Sequence, residues 1–135
     1  VIKLKKLNAA AVLMCIIGAF GVFQFVWGIA ATESFTQMWA EMMGTTVGGS
    51  AVLTMAIRFY AVYHFIGLAL LAVIAVIPLR RAENWAWLSI LVLGGIDLGF
   101  GIALWAPYFP VMYVLLVMWI AALALSAGPC LGKKE

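Results

Sequence analysis

Four long apolar blocks, at residues 9–31, 51–79, 85–106 and 111–127, divide the chain, with short polar segments between them. Crossing ~30 Å of hydrocarbon takes ~20 consecutive apolar residues in helical form, and each block comes close to that length. None shows the two-residue alternation of a membrane β-strand. The pattern therefore predicts an all-α fold: a polytopic four-helix membrane bundle in one domain covering residues 1–135. The first span has Gln24 as its one strongly polar side chain. The second carries Arg58 and His64, the third Asp97, and the fourth no ionisable group.

Composition sharpens this picture. The chain is 67% hydrophobic and 10% charged, against about 25% charge in a soluble domain, so its outer surface has to face lipid. The pI near 9.1 rests on eight basic residues, most of which flank apolar blocks. That excludes the clustered basic face of a nucleic-acid binder. Lys3, Lys5 and Lys6 precede the first span, Arg80 and Arg81 join the second to the third, and Lys133 and Lys134 follow the fourth. With an even number of spans these fall on one side, which the positive-inside rule makes cytoplasmic, with both termini there. A prokaryotic plasma membrane is the expected location. A cleaved signal peptide is disfavoured, because the first apolar core is about 20 residues against the ~7–15 of a signal sequence. Cys15 and Cys130 form no CxxC pair and are expected to make no structural disulfide.

The longest connection, residues 32–50, has structure of its own. Ser34 and Gln37 have capping-box spacing, Phe35, Met38, Trp39 and Met42 recur on one helical face, and Gly44 is a natural stop. A short amphipathic helix over residues 35–43 is predicted at the outer surface, followed by a flexible segment to Ser50. Pro107 and Pro110 bracket a tight turn between the last two spans. Trp85, Trp87, Trp105 and Tyr108 stand where interfacial aromatics belong.

Ionisable groups within a span are costly and call for a partner or a water-filled cavity. Counted from the outer helix ends at 1.5 Å per residue, Arg58 lies roughly 10 Å deep and Asp97 roughly 13 Å deep. Their spans are antiparallel neighbours, so an Arg58–Asp97 ion pair is expected, with Gln24 at the same level. Gly21 and Gly28 share a face with Gln24, and Gly94 and Gly101 share one with Asp97, which lets helix backbones approach. His64 lies near mid-bilayer, with Tyr60 one turn above and Gly67 one turn below. Two readings stand: a pair that only sets helix register, and an outward-facing pocket for a small solute, lipid or quinone lined by Arg58, Asp97, Gln24, His64 and Tyr60. Gly95 and Gly99 form a GxxxG on a further face, suited either to internal packing or to a second subunit.

No catalytic signature is present: no GxSxG, HExxH or Walker loop, and no facing pair of carboxylates in a span. One His and two distant Cys make no metal site and no bis-His haem site. No catalytic residue, metal or resident cofactor is predicted, although a quinone or lipid fits the pocket reading. The run Arg58-Phe59-Tyr60-Ala61-Val62-Tyr63-His64-Phe65-Ile66-Gly67-Leu68, with Arg80-Arg81 and a Gly-rich third span after it, resembles the DoxX-like small four-helix membrane proteins. Arg58 and Gly67 match their Arg near the outer start of the second helix and the Gly one to three turns later; Asp97 has no counterpart in that pattern. The resemblance covers about a third of the chain and implies a four-helix fold associated with quinone-linked or thiol-redox membrane complexes. The expected function is a non-catalytic accessory subunit that packs against larger membrane partners, in an energy-converting complex, or a homo-oligomer formed through Gly95/Gly99 or the fourth span. The alternative is a small carrier or binding protein.

Overall fold

The computed structural model describes residues 1–42, 44, 51–105 and 109–132, with the side chains of 51–53, 57, 60–62, 64–65 and 104–105 outside the description. The described residues are all-helical: α1 (Ile2–Ala30), α2 (Thr32–Met42), α3 (Ala51–Val76), a 3-10 turn (Leu79–Arg81), α4 (Asn84–Trp105) and α5 (Val111–Leu131). Three of them, α1, α4 and α5, are long and apolar enough to cross a membrane. Each long helix packs on two others: α1 and α4 both lie against α3 and against α5. Large apolar side chains also point outward from all four, among them Phe23, Leu70, Phe100 and Val117.

Because these helices are apolar on every side, hydrophobicity does not mark the inward face; that face shows in the spacing of the buried positions, with glycine where the backbones come closest. The buried positions of α1 are Leu7, Ala10, Ala11, Met14, Ile17, Gly18, Gly21, Gln24 and Gly28. They recur every three to four residues, the seam spacing of closely packed helices. Gly18 shows how close the approach is, since a Cβ built on it would stand 2.4 Å from the Ala72 Cβ. The Gly18–Ala72 contact, the Arg80 Nε–Asn8 Oδ1 bond (2.9 Å) and the Arg58 Nη2–Thr32 Oγ1 bond (3.0 Å) run in opposite senses along the two chains. Together they make α1 and α3 antiparallel and set Gln24 level with residues 64–66 of α3.

Several element ends differ from the sequence expectation. The first helix starts at Ile2 rather than near residue 9, because lysines are good helix formers and the polar segment simply continues the helix. The last helix runs to Leu131, past Pro129, rather than ending at 127. Proline there removes only one bond near the helix end, and Gly132 N–H still reaches the Gly128 carbonyl at 3.0 Å.

The surface helix begins at Thr32, three residues before the expected start. Only Ala31 (φ −133°, ψ 58°) interrupts α1, and Thr32 Oγ1 donates back to the Gly28 carbonyl at 2.9 Å. Ser34 thus lies inside the helix and does not cap it, and Gln37 Nε2 donates to Glu41 Oε1 at 2.9 Å instead of reaching back. The apolar face is as expected. Phe35 and Trp39 are fully buried, and Met38 and Met42 pack on the core. Trp27 and Phe35 meet edge-to-face at 5.6 Å, and Trp39 meets Phe109 at 5.4 Å. Eight residues of straight helix would separate Trp27 from Phe35 by ~12 Å, so the chain folds back at Ala31 and α2 closes one end of the helix assembly. Gly44, at φ +69° with its N–H on the Glu41 carbonyl, stops it. The segment 45–50 and the residues Trp105, Pro107, Tyr108, Lys133 and Lys134 lie outside the described residues or side chains.

Candidate functional site

Asp97 sits in the middle of α4, half-buried, against α3 at Gly67. A Cβ built on Gly67 would lie 3.1 Å from Asp97 Oδ2, so the missing side chain is what makes room for the carboxylate. Gln24, on the buried stripe of α1, is 4% exposed, and its Oε1 has no hydrogen-bond partner among the described residues. The α1–α3 register puts it within about one turn of the Gly67 level. A buried amide oxygen left unpaired costs ~1–3 kcal/mol, which makes this level one polar weak point of a mostly apolar interior; Thr36 of α2 and Ser126 of α5 are the other fully buried polar side chains among the described residues.

Arg58 is elsewhere. Its side chain is exposed and donates to Thr32 Oγ1 at the α1–α2 junction. Arg58 and Gly67 are nine positions apart on α3, about 13 Å of rise, so the structure sets the two opposite charges at different levels. The equal-depth arithmetic assumed helices ending flush. With Asp97 opposite Gly67, the end of α4 at Trp105 comes level with Arg58, and the first two turns of α3 project beyond it. Of the residues expected to line one pocket, Asp97 and Gln24 fall at about the same level, on helices that do not pack on each other, and Arg58 falls at another. Tyr60 and His64 belong to α3, but their side chains lie outside the described residues.

The glycines of α4 also divide. Gly94 shares the inward side with Asp97 but serves α5: the Trp119 indole lies across it, a built Cβ falling 2.3 Å from Nε1, and that N–H donates to the Ile90 carbonyl at 2.9 Å. Trp87 Nε1 likewise donates to the Leu123 carbonyl at 3.0 Å. Gly95 is in ordinary contact with the edge of Trp119, whereas no described residue stands within 4 Å of a Cβ at Gly99. Gly95, Ile96, Gly99, Phe100 and Ala103 line an open apolar groove of about 240 Å³ on the outer side of α4. A second apolar groove, about 290 Å³, runs along α1 between Phe23, Val26, Trp27, Ala30 and Ala31.

The sequence reading missed Gly18, Thr32 and Trp119. Gly18 and Ala72 carried a signal in the recurrence of small residues on facing spans. Thr32 had none, since its role depends on the fold-back at Ala31. Among the described residues no three of His, Cys, Asp and Glu converge as metal ligands. Cys15 is exposed and Cys130 buried, both as free thiols. Comparison with protein-family models, curated proteins and solved structures finds no match to this chain.

Proposed function

We propose that the chain is an integral-membrane four-helix bundle, α1, α3, α4 and α5 each crossing the bilayer with both termini cytoplasmic, and that it serves as a non-catalytic accessory subunit docked against another membrane protein. The observation that carries this reading is the open groove at Gly95, Gly99 and Ala103. Small residues on a membrane helix let another backbone approach, and here no described residue of the chain does so at Gly99. A photo-crosslinking residue at Ile96, activated before gentle extraction, is expected to capture a distinct membrane polypeptide. Recovery of lipid adducts alone on a monomer contradicts the proposal. The resemblance to DoxX-like proteins, carried by Arg58 and Gly67, is consistent with a place in a larger membrane complex.

A second reading is favoured by the unpaired Gln24 oxygen beside the Asp97 level: a carrier or binding protein for a small polar solute, lipid or quinone, in which Asp97, Gln24 and, one turn from Gly67 by helical spacing, His64 supply the polar contacts, with Tyr60 and Arg58 toward the entrance. In this reading Asp97→Asn abolishes binding or uptake while the protein still inserts and accumulates. Failure of the variant to accumulate makes the polar level structural.

A further inference from the structure

Arg80, in the turn between α3 and α4, is bonded across the helix seam to Asn8 of α1, its Nε donating to Asn8 Oδ1 at 2.9 Å. Arg80 is exposed and Asn8 half-buried. The bond uses one N–H of the guanidinium and fixes its plane, leaving the other donors of the fork for a further acceptor. Lys5, three residues before Asn8 and so its neighbour on the surface of α1, is exposed as well. Asn8 therefore has a cation on either side, one held in place and one on a flexible stem.

The level of this pair follows from helix length. The 29 residues of α1 make about 43 Å of helix, well beyond ~30 Å of hydrocarbon. Its far end is marked by α2, whose exposed side carries Glu33, Gln37 and Glu41, as a helix at headgroup height does. Counted ~20 residues back from Ala31, the hydrocarbon ends near Ala11. Asn8 and Arg80 stand about one turn outside it, at the height of lipid phosphates.

Beneath them the surface is apolar. Val12 and Cys15, four and seven residues on from Asn8 and hence on its own face of α1, are both exposed. At their level on α3, by the register that the Asn8–Arg80 and Gly18–Ala72 contacts set, Val76 and Val73 are exposed too. Two cations at phosphate height above an apolar strip complement one amphiphile: a phosphate with an acyl chain attached. Arginine's planar fork suits phosphate oxygens in particular.

We propose that Arg80, held by Asn8, and Lys5 form a site for an anionic phospholipid, the phosphate between the two cations and an acyl chain along Val12 and Cys15. The proposal rests on the membrane insertion set out above, not on either reading of function. Glu83, the acidic residue nearest to Arg80 in sequence, accepts the Trp85 indole N–H through Oε2, and its charge limits the strength of the site.

The test uses the protein in nanodiscs of phosphatidylcholine with a minority of phosphatidylglycerol, released into mild detergent, with retained lipids counted by native mass spectrometry. The wild type is expected to be enriched in phosphatidylglycerol. Arg80→Gln should lower that enrichment about fivefold, the worth of one interfacial basic residue, and Lys5→Gln should do much the same. Asn8→Ala changes no charge but loosens the guanidinium, and should lower the enrichment about twofold, the cost of ordering one long side chain again. Lys6→Gln removes a charge two residues from Asn8, which is off its face, and should change little. Equal enrichment in wild type and Arg80→Gln overturns the proposal. So does an equal loss in Arg80→Gln and Lys6→Gln with none in Asn8→Ala, the result of diffuse surface charge. Phosphatidylcholine retained by the variants shows in each case that insertion itself is intact. Displacement of the lipid by inorganic phosphate would assign the site to a free anion and overturn the lipid assignment. Should Arg80→Gln not fold, a photo-crosslinker at Val12 in the otherwise native chain decides: preferential capture of phosphatidylglycerol supports the site, and capture in proportion to the lipid supplied refutes it.

Discussion

Gly94 and Gly99 lie five residues apart on one helix and do opposite things. At Gly94 the space that a side chain would take is filled by Trp119, whose indole N–H is tied to the Ile90 carbonyl. At Gly99 the space is empty and opens on an apolar groove. The first glycine is part of a completed intramolecular joint; at the second, no described residue of the chain stands against the backbone. In lipid, where apolar surface gains nothing from leaving water, close packing is what distinguishes one apolar face from another. Glycine spacing alone therefore does not identify an interface. What stands against each glycine does.

The largest expected effect comes from closing the gap that Trp119 occupies. Gly94→Ala would put a methyl 2.3 Å from the indole nitrogen, forcing the ring off the α4 backbone and breaking its bond to Ile90. A loss of about 3 kcal/mol is expected from overpacking and the stranded N–H, read as a fall in thermal midpoint in micelles. Trp119→Leu in the same chain should restore part of it. An unchanged midpoint would show that α4 and α5 are not clamped at this point.

Trp119→Phe should cost less, about 1.5 kcal/mol, because the ring volume largely stays and only the hydrogen bond to the Ile90 carbonyl is lost. If it costs as much as Gly94→Ala, the clamp is polar rather than steric, and the contrast with Gly99 needs to be redrawn in those terms.

Why one contrast was visible in the sequence and the other was not follows from the solvent. The helices themselves are written as apolar runs of membrane length, and the buried face of α2 follows its Phe35-Trp39 spacing, because that helix has a polar side to compare with. The long helices have none, so the sequence hints at their inward faces only where small residues recur, as at Gly18, Gly21 and Gly28 of α1, and not at Leu7, Met14 or Ile17 of the same face. Helix stagger is written nowhere in such a pattern. Arg58 and Asp97 were matched in depth by counting from helix ends, and the projection of α3 past the end of α4 separates them. Nothing local to Thr32 announces that the chain folds back at Ala31.

Gly67→Ala tests the polar level at moderate cost. The new methyl would stand 3.1 Å from Asp97 Oδ2, tighter than a comfortable contact, so the carboxylate has to shift by a few tenths of an ångström. A destabilisation of about 1 kcal/mol is expected. A larger loss would mean that Asp97 is held rigidly. If the polar level binds a solute, affinity should fall while stability changes little, which separates the binding reading from the purely structural one.

The smallest effect on the isolated chain, and the most discriminating for function, belongs to Gly99→Ala. Nothing lies within 4 Å of the added methyl, and alanine is the better helix former by up to about 1 kcal/mol, so the purified monomer should be unchanged or slightly more stable. In the native membrane the expectation reverses. A partner helix seated in the groove of Gly95, Gly99 and Ala103 would meet the methyl at its closest approach, and co-purification of the partner should drop while the level of the chain itself stays constant. Loss of stability in the monomer would show that Gly99 is packed internally after all. Stability and co-purification both unchanged would leave lipid as the occupant of the groove and remove the main support for an accessory subunit.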